Sequence, residues 1–186
     1  GTCGDFCGEG LGSGKPATFV APNAALMEKI KLEIPLERYE TDAELPETEQ
    51  RLLAEARQAT HTAYAPYSRF HVGAAVRLDD GTVVTASNQE NAAFPSGSCA
   101  EQSLIFWVGA NHPGKKMEAL AVVARPGEGE TYRAVSPCGA CRQALLEYEN
   151  RQGQPIRLLM PGQPGDEVTV SPSVAGLLPV KFDSFD

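Results

Sequence analysis

Three cysteines constrain this chain more than any other feature. Pro137-Cys138-Gly139-Ala140-Cys141 opens one stretch of helical pattern, and Cys99-Ala100-Glu101 opens another. At a helix start the unpaired backbone N–H groups and the positive end of the dipole favour thiolate over thiol, and thiolate is the form that binds zinc. A C-x-x-C pair places two sulfurs on one ion at about 2.3 Å each.

The ligand count bears on what such a point can do. A structural zinc site is closed by four protein ligands, whereas a catalytic one keeps a position for water. No fourth cysteine lies near the three, and His61, His71 and His112 show no ligand spacing with them, so they read as surface or core histidines. A redox C-x-x-C, or a zinc ribbon completed by Cys3 or Cys7, is the competing reading; Glu101, two residues after Cys99, argues against it. The five cysteines are odd in number and unevenly placed, a poor disulfide framework, which suits a reducing, cytoplasmic setting. A formal net charge of -8 argues against a nucleic-acid partner, because phosphate neutralisation needs a concentrated surplus of Lys and Arg. No apolar run is long enough for a membrane span.

Residues 1–26 are rich in Gly, Ser, Ala and Pro and read as a flexible extension, leaving 27–186 as a single catalytic domain. Ile30 to Leu45 mixes apolar and acidic residues and reads as an irregular or extended lead-in. Leu52, Leu53, Ala56, Ala59, Ala63 and Tyr64 recur at helical spacing, predicting a helix from Glu47 to Tyr64. Phe70 to Leu78 and Thr82 to Thr85 flank Asp79-Asp80-Gly81 and predict a β-hairpin. A helix from Cys99 to Gly109, a strand from Ala119 to Ala124, a helix from Cys138 to Arg151 and a strand from Ile156 to Met160 follow. Val168 to Val170 is a short strand, and Ser171-Pro172-Ser173 caps a final turn. The order α-β-β-α-β-α-β suits an α/β fold, a three-layer α/β/α arrangement with a mixed β-sheet flanked by helices.

Paired in this order, C-x-E and P-C-x-x-C form the signature already known for zinc deaminases, so the match is recognition rather than derivation. The chain resembles the cytidine deaminase family from about Glu49 to Phe182. The resemblance rests on Ala65-Pro66-Tyr67-Ser68-Arg69-Phe70-His71-Val72-Gly73-Ala74-Ala75, on Asn88-Gln89-Glu90-Asn91-Ala92 and on the two cysteine motifs. The closing Leu177-Leu178-Pro179-Val180-Lys181-Phe182 is similar to the family's C-terminal pattern. Two positions depart from the small three-cysteine class: Gln102 stands where Arg is usual, and Phe94 where Tyr is usual. The family's longer, dimeric class has Gln at the first of these, but His as first ligand.

The resemblance implies hydrolytic deamination of cytidine and 2'-deoxycytidine to the uridine products, a step of pyrimidine salvage. It implies one Zn2+ per subunit on Cys99, Cys138 and Cys141, with Glu101 moving protons between water and base. It assigns Asn88 and Glu90 to the ribose 3'-hydroxyl, Phe70 and Ala100 to substrate contact, and Phe182 to a neighbouring subunit's site in a homotetramer. Gln102 cannot offset the charge of three thiolates, which leaves Arg142 as the candidate for compensation or else as an exposed helix arginine. A modified cytosine nucleoside as substrate, or a non-catalytic zinc-stabilised binding module, are the alternative readings.

Overall fold

A sheet with helices on both faces must sort its side chains by alternation, and three central strands do so here. The computed structural model describes residues 27–184; the extension read at residues 1–26, with Cys3 and Cys7, lies outside the described residues. From Leu32 onward the chain forms one compact unit. Its elements run β1 Glu37–Tyr39, α1 Glu47–Ala59, β2 Phe70–Leu78, β3 Val83–Ser87, α2 Ala100–Asn111, β4 Met117–Pro126, β5 Arg133–Ala134, α3 Gly139–Gln152, β6 Arg157–Pro161 and β7 Val168–Ser171. The sheet order is β1-β7-β6-β4-β2-β3, with β5 paired to β4. Only β4 and β6 run parallel, joined by the crossover that contains α3. The other pairs are antiparallel, so the sheet is mixed as expected.

Ala74, Val76 and Leu78 of β2, Leu120 and Val122 of β4, and Leu158 and Met160 of β6 pack on the side where Leu104, Ile105 and Val108 of α2 and Leu145 of α3 lie. Their alternates Ala75, Ala119, Ala121, Val123 and Leu159 meet Leu52, Leu53 and Ala56 of α1 on the other side. Period-two alternation thus makes two apolar layers, and each fully buried Leu adds about 1.5–3 kcal/mol. At Gly73 α1 comes so close to β2 that an added Cβ would sit 2.1 Å from the Ala56 carbonyl oxygen. The hairpin forms on its Asp-Gly turn, with Gly81 at φ 85°, Gly81 N donating to Leu78 O at 2.9 Å and Leu78 N to Thr82 O at 2.8 Å.

The structure corrects the expected elements in places. The first helix stops at Ala59 rather than Tyr64: the Thr60 and Thr62 hydroxyls donate to the Arg57 and Ala59 carbonyls, the chain tightens into a 3-10 turn over Thr60–Thr62, and Tyr64 is exposed. The lead-in read as irregular or extended is extended at β1, an edge strand paired with β7. The two-residue β5 was not expected. Both Cys99 and Cys138 are N-caps with extended backbone, so each stands just outside its helix. No helix among the described residues is long and apolar enough to cross a membrane.

Candidate metal and substrate site

α2 and α3 lie on the same face of the sheet, and their first turns meet. Cys99 caps α2, Cys138 caps α3, and Cys141 sits three residues on, buried in the first turn of α3. All three sulfurs lie within 4.8 Å of one another, and those of Cys138 and Cys141 are 3.6 Å apart. Tetrahedral ligation at about 2.3 Å needs sulfurs about 3.8 Å apart, so this donor set fits one zinc ion. No fourth His, Cys, Asp or Glu joins the group among the described residues.

The electrostatics of the bare thiols point the same way. Backbone N–H groups of Cys141 and Ala140 lower the Cys138 pKa. Burial raises those of Cys99 and Cys141, and the neighbouring Glu101 carboxylate adds to the rise. Burial also raises the pKa of Glu101 itself, against the hydrogen bonds of its own N–H and of the Cys141 side chain. Burial thus disfavours the bare anions of Cys99, Cys141 and Glu101, and a cation held among the four groups would favour their ionised forms.

Beside this cluster a cavity of about 250 Å³ is lined by Phe70, Asn88, Cys99, Ala100, Glu101 and Cys138. Glu90 lies in an adjoining hollow of about 260 Å³ that shares Asn88 and Cys99 with it. Asn88 is engaged with β2: its Oδ1 accepts Val72 N at 2.8 Å and its Nδ2 donates to Phe70 O at 2.9 Å. One amide hydrogen and one lone pair remain for other partners. Glu90 Oε2 accepts the backbone N–H groups of Tyr67 at 2.9 Å and Ser68 at 3.3 Å. Phe182 is exposed near the C-terminus, with its carbonyl accepting from Gln143 Nε2 at 2.7 Å, and does not line this chain's cavity.

Arg142 is half-buried in the first turn of α3. It is neither an exposed helix arginine nor a donor to sulfur: Nε reaches Pro137 O at 2.8 Å, NH2 reaches Ser136 Oγ at 2.8 Å and NH1 reaches Leu177 O at 3.3 Å. The guanidinium staples the approach to Cys138 to the C-terminal turn, because its fork matches three oxygens that face it. Gln102 is half-buried, and its side chain makes no hydrogen bond among the described residues. Val135 and Ser136, which complete the cavity wall, carry no motif; their place directly before Pro137-Cys138 was the available signal.

Comparison with known proteins agrees with this geometry. The model of the cytidine and deoxycytidylate deaminase zinc-binding region matches residues 46–153. A cytidine deaminase of Sporosarcina psychrophila is 39% identical over 137 residues, 74% of this chain and 93% of that protein. One from Halalkalibacterium halodurans is 46% identical over 99 residues, 53% of this chain and 70% of the other. The crystal structure of cytidine deaminase from Burkholderia pseudomallei superposes with a TM-score of 0.60 at 35% identity, covering 71% of this chain and 97% of that one. Matched by the family model over more than half its length, and 39% identical to a relative of which it covers 93%, the chain belongs to the cytidine and deoxycytidylate deaminase family of zinc-binding hydrolases.

Proposed function

We propose that this protein converts cytidine and 2'-deoxycytidine, with water, to uridine and 2'-deoxyuridine, releasing ammonia. The observation that carries the reading is the meeting of three thiols and Glu101 with Phe70 and Asn88 around one cavity. Cys99, Cys138 and Cys141 are the ligands in this reading, and a zinc ion there supplies Lewis acidity toward water. Glu101, held beside the cluster without being a ligand, takes a proton from the attacking water and delivers it to ring N3; it then takes the proton of the hydroxyl now on C4 and passes it to the amine, which leaves as ammonia as the C4 carbonyl forms. Burial raises its pKa above the ordinary carboxylate value, the direction that helps it hold a proton between transfers.

Phe70 offers the pyrimidine an aromatic wall, while Ala100 closes the cavity at the start of α2. Asn88 and Glu90 contact the 3'-hydroxyl through the bonding capacity they retain. Gln102 adds no charge, so the thiolate-rich centre is offset by the Arg142 guanidinium acting through the Pro137 peptide. Exposed Phe106 and Trp107 on α2, with Phe94, give an apolar surface that supports assembly into a homotetramer, in which Phe182 of one subunit reaches a neighbour's site. Three reduced thiols support a cytoplasmic place in pyrimidine salvage, with residues 27–186 as the catalytic domain.

The test is a pair of variants. Glu101→Gln retains one zinc per chain and loses turnover by several orders of magnitude; Cys138→Ala loses zinc. An active Glu101→Gln protein, or a fully metallated Cys138→Ala protein, overturns the respective assignment.

A further inference from the structure

The turn that leads into β2 is held in an unusual backbone state. Arg69 has φ 53°, the one non-glycine residue with a left-handed backbone among the described residues. Such a conformation is unfavourable for an L side chain and persists only where the surroundings over-determine it. Here they do. Arg69 N donates to Ala65 O at 3.0 Å, and Arg69 O accepts Gly127 N at 2.8 Å. Upstream, Tyr67 N and Ser68 N both donate to Glu90 Oε2. Ser68 Oγ in turn accepts Phe70 N at 3.0 Å. Downstream, Phe70 O is fixed by Asn88.

Phe70 follows the strained residue directly, and its ring lines the cavity. A relay therefore runs from the Glu90 carboxylate through Ser68 to the backbone of Phe70. We propose that Glu90 is a positioning residue for Phe70: by pinning the turn at Tyr67 and Ser68 it sets the aromatic wall of the base cavity, independently of any sugar hydroxyl. The proposal rests on the nucleoside reading above and adds to it, since a residue that only met the 3'-hydroxyl would be irrelevant to a substrate without one.

The experiment compares zinc-loaded wild type, Glu90→Ala, Glu90→Gln and Ser68→Ala on cytidine and on 3'-deoxycytidine. Glu90→Ala lowers kcat/KM about tenfold on both substrates, chiefly through KM. Glu90→Gln keeps a neutral acceptor for the two N–H groups and recovers most of the loss on 3'-deoxycytidine. Ser68→Ala raises KM several-fold on both. A Glu90→Ala protein that loses activity on cytidine yet matches wild type on 3'-deoxycytidine overturns the proposal, as does a Ser68→Ala protein unchanged on both. Amide hydrogen exchange reads the same hold without turnover: Tyr67, Ser68 and Phe70 exchange faster in Glu90→Ala and not in Glu90→Gln, and unchanged exchange overturns the proposal. A wild type that releases no ammonia from cytidine counts against the nucleoside reading instead, and leaves the exchange measurement to decide the positioning role.

Discussion

Glu149 is a buried carboxylate with four donors and no bonded cation among the described residues. Oε2 accepts Ile156 N and Val174 N, both at 2.8 Å; Oε1 accepts Ala175 N at 3.2 Å and the Ser173 hydroxyl. The side chain thus joins the end of α3 to the entry of β6 and to the 3-10 turn Val174–Leu177, whose last carbonyl meets Arg142. In Glu149→Ala the N–H groups of Ile156 and Val174, two residues with no exposure, lose their acceptor. At about 1–3 kcal/mol for each orphaned group the variant loses about 2–6 kcal/mol. For a unit of this size that is a fall in Tm of about 5–20 °C. Glu149→Gln is milder for a geometric reason. With its carbonyl oxygen at the Oε2 position it keeps Ile156 and Val174, its amide turns to Ser173 Oγ, and Ala175 N retains Ser173 Oγ at 3.2 Å. The Oε1 bonds from Ala175 N and the Ser173 hydroxyl are lost along with charge assistance, but both donors are less buried than Ile156 and Val174 and keep other partners or water, so the cost is about 1–2 kcal/mol. Calorimetric melts of both variants at one saturating zinc concentration make the comparison. Equal shifts, or an alanine variant that melts with the wild type, would refute the account of this carboxylate as an acceptor hub.

Other substitutions read other links. Arg142→Lys removes the fork that holds Pro137 and Leu177, so zinc affinity measured by competition with a chelator falls while the fold persists; wild-type affinity counts against the staple. Glu101→Gln removes a carboxylate whose ionisation burial opposes, so the zinc-loaded variant melts no lower than wild type, and a clear drop in Tm contradicts that electrostatic picture. Gly73→Ala drives a Cβ into the Ala56 carbonyl and costs about 3 kcal/mol or more in urea unfolding; near-wild-type stability would show that α1 can draw back. The Lys115 ammonium, with Thr82, holds the Asp80 carboxyl well below its ordinary value of 3.8. The folded state therefore favours the ionised form, and the resulting stability is present above that value and fades as pH falls through the depressed one. The advantage of wild type over Asp80→Asn is small, is reduced by salt, and narrows below the ordinary aspartate range; an advantage that grew on acidification would reverse the sign.

Much of the site was legible because its signals are local. C-x-x-C and C-x-E are short motifs that open helices, and at Cys138 the helix start itself favours the thiolate, whereas burial opposes it at Cys99 and Cys141. The meeting of Cys99 with Cys138 was not readable from spacing, since it depends on α2 and α3 packing on one face of β2, β4 and β6. The same limit applies to Asn88 and Glu90. Their residue types suggested polar contacts, but nothing local disclosed that Asn88 clamps the backbone of Phe70 and Val72, or that Glu90 takes the N–H groups of Tyr67 and Ser68. The lead-in was read as irregular or extended without a strand being placed in it, because Glu-Arg-Tyr carries no apolar alternation and becomes a strand only by pairing with β7. The end of α1 was misplaced because Ala63 and Tyr64 continue the helical period after Thr60 and Thr62 have turned the backbone. Arg142 was read from its neighbourhood in sequence, yet its partners come from the C-terminal turn as well as the approach loop.

The central claim is that this cavity removes an amino group from a cytosine nucleoside. Its most direct test is to supply the zinc-loaded protein with cytidine and with 2'-deoxycytidine, and to follow uridine product and ammonia together. The account predicts equal amounts of both products from each substrate. A folded, zinc-bound protein that releases neither would contradict it.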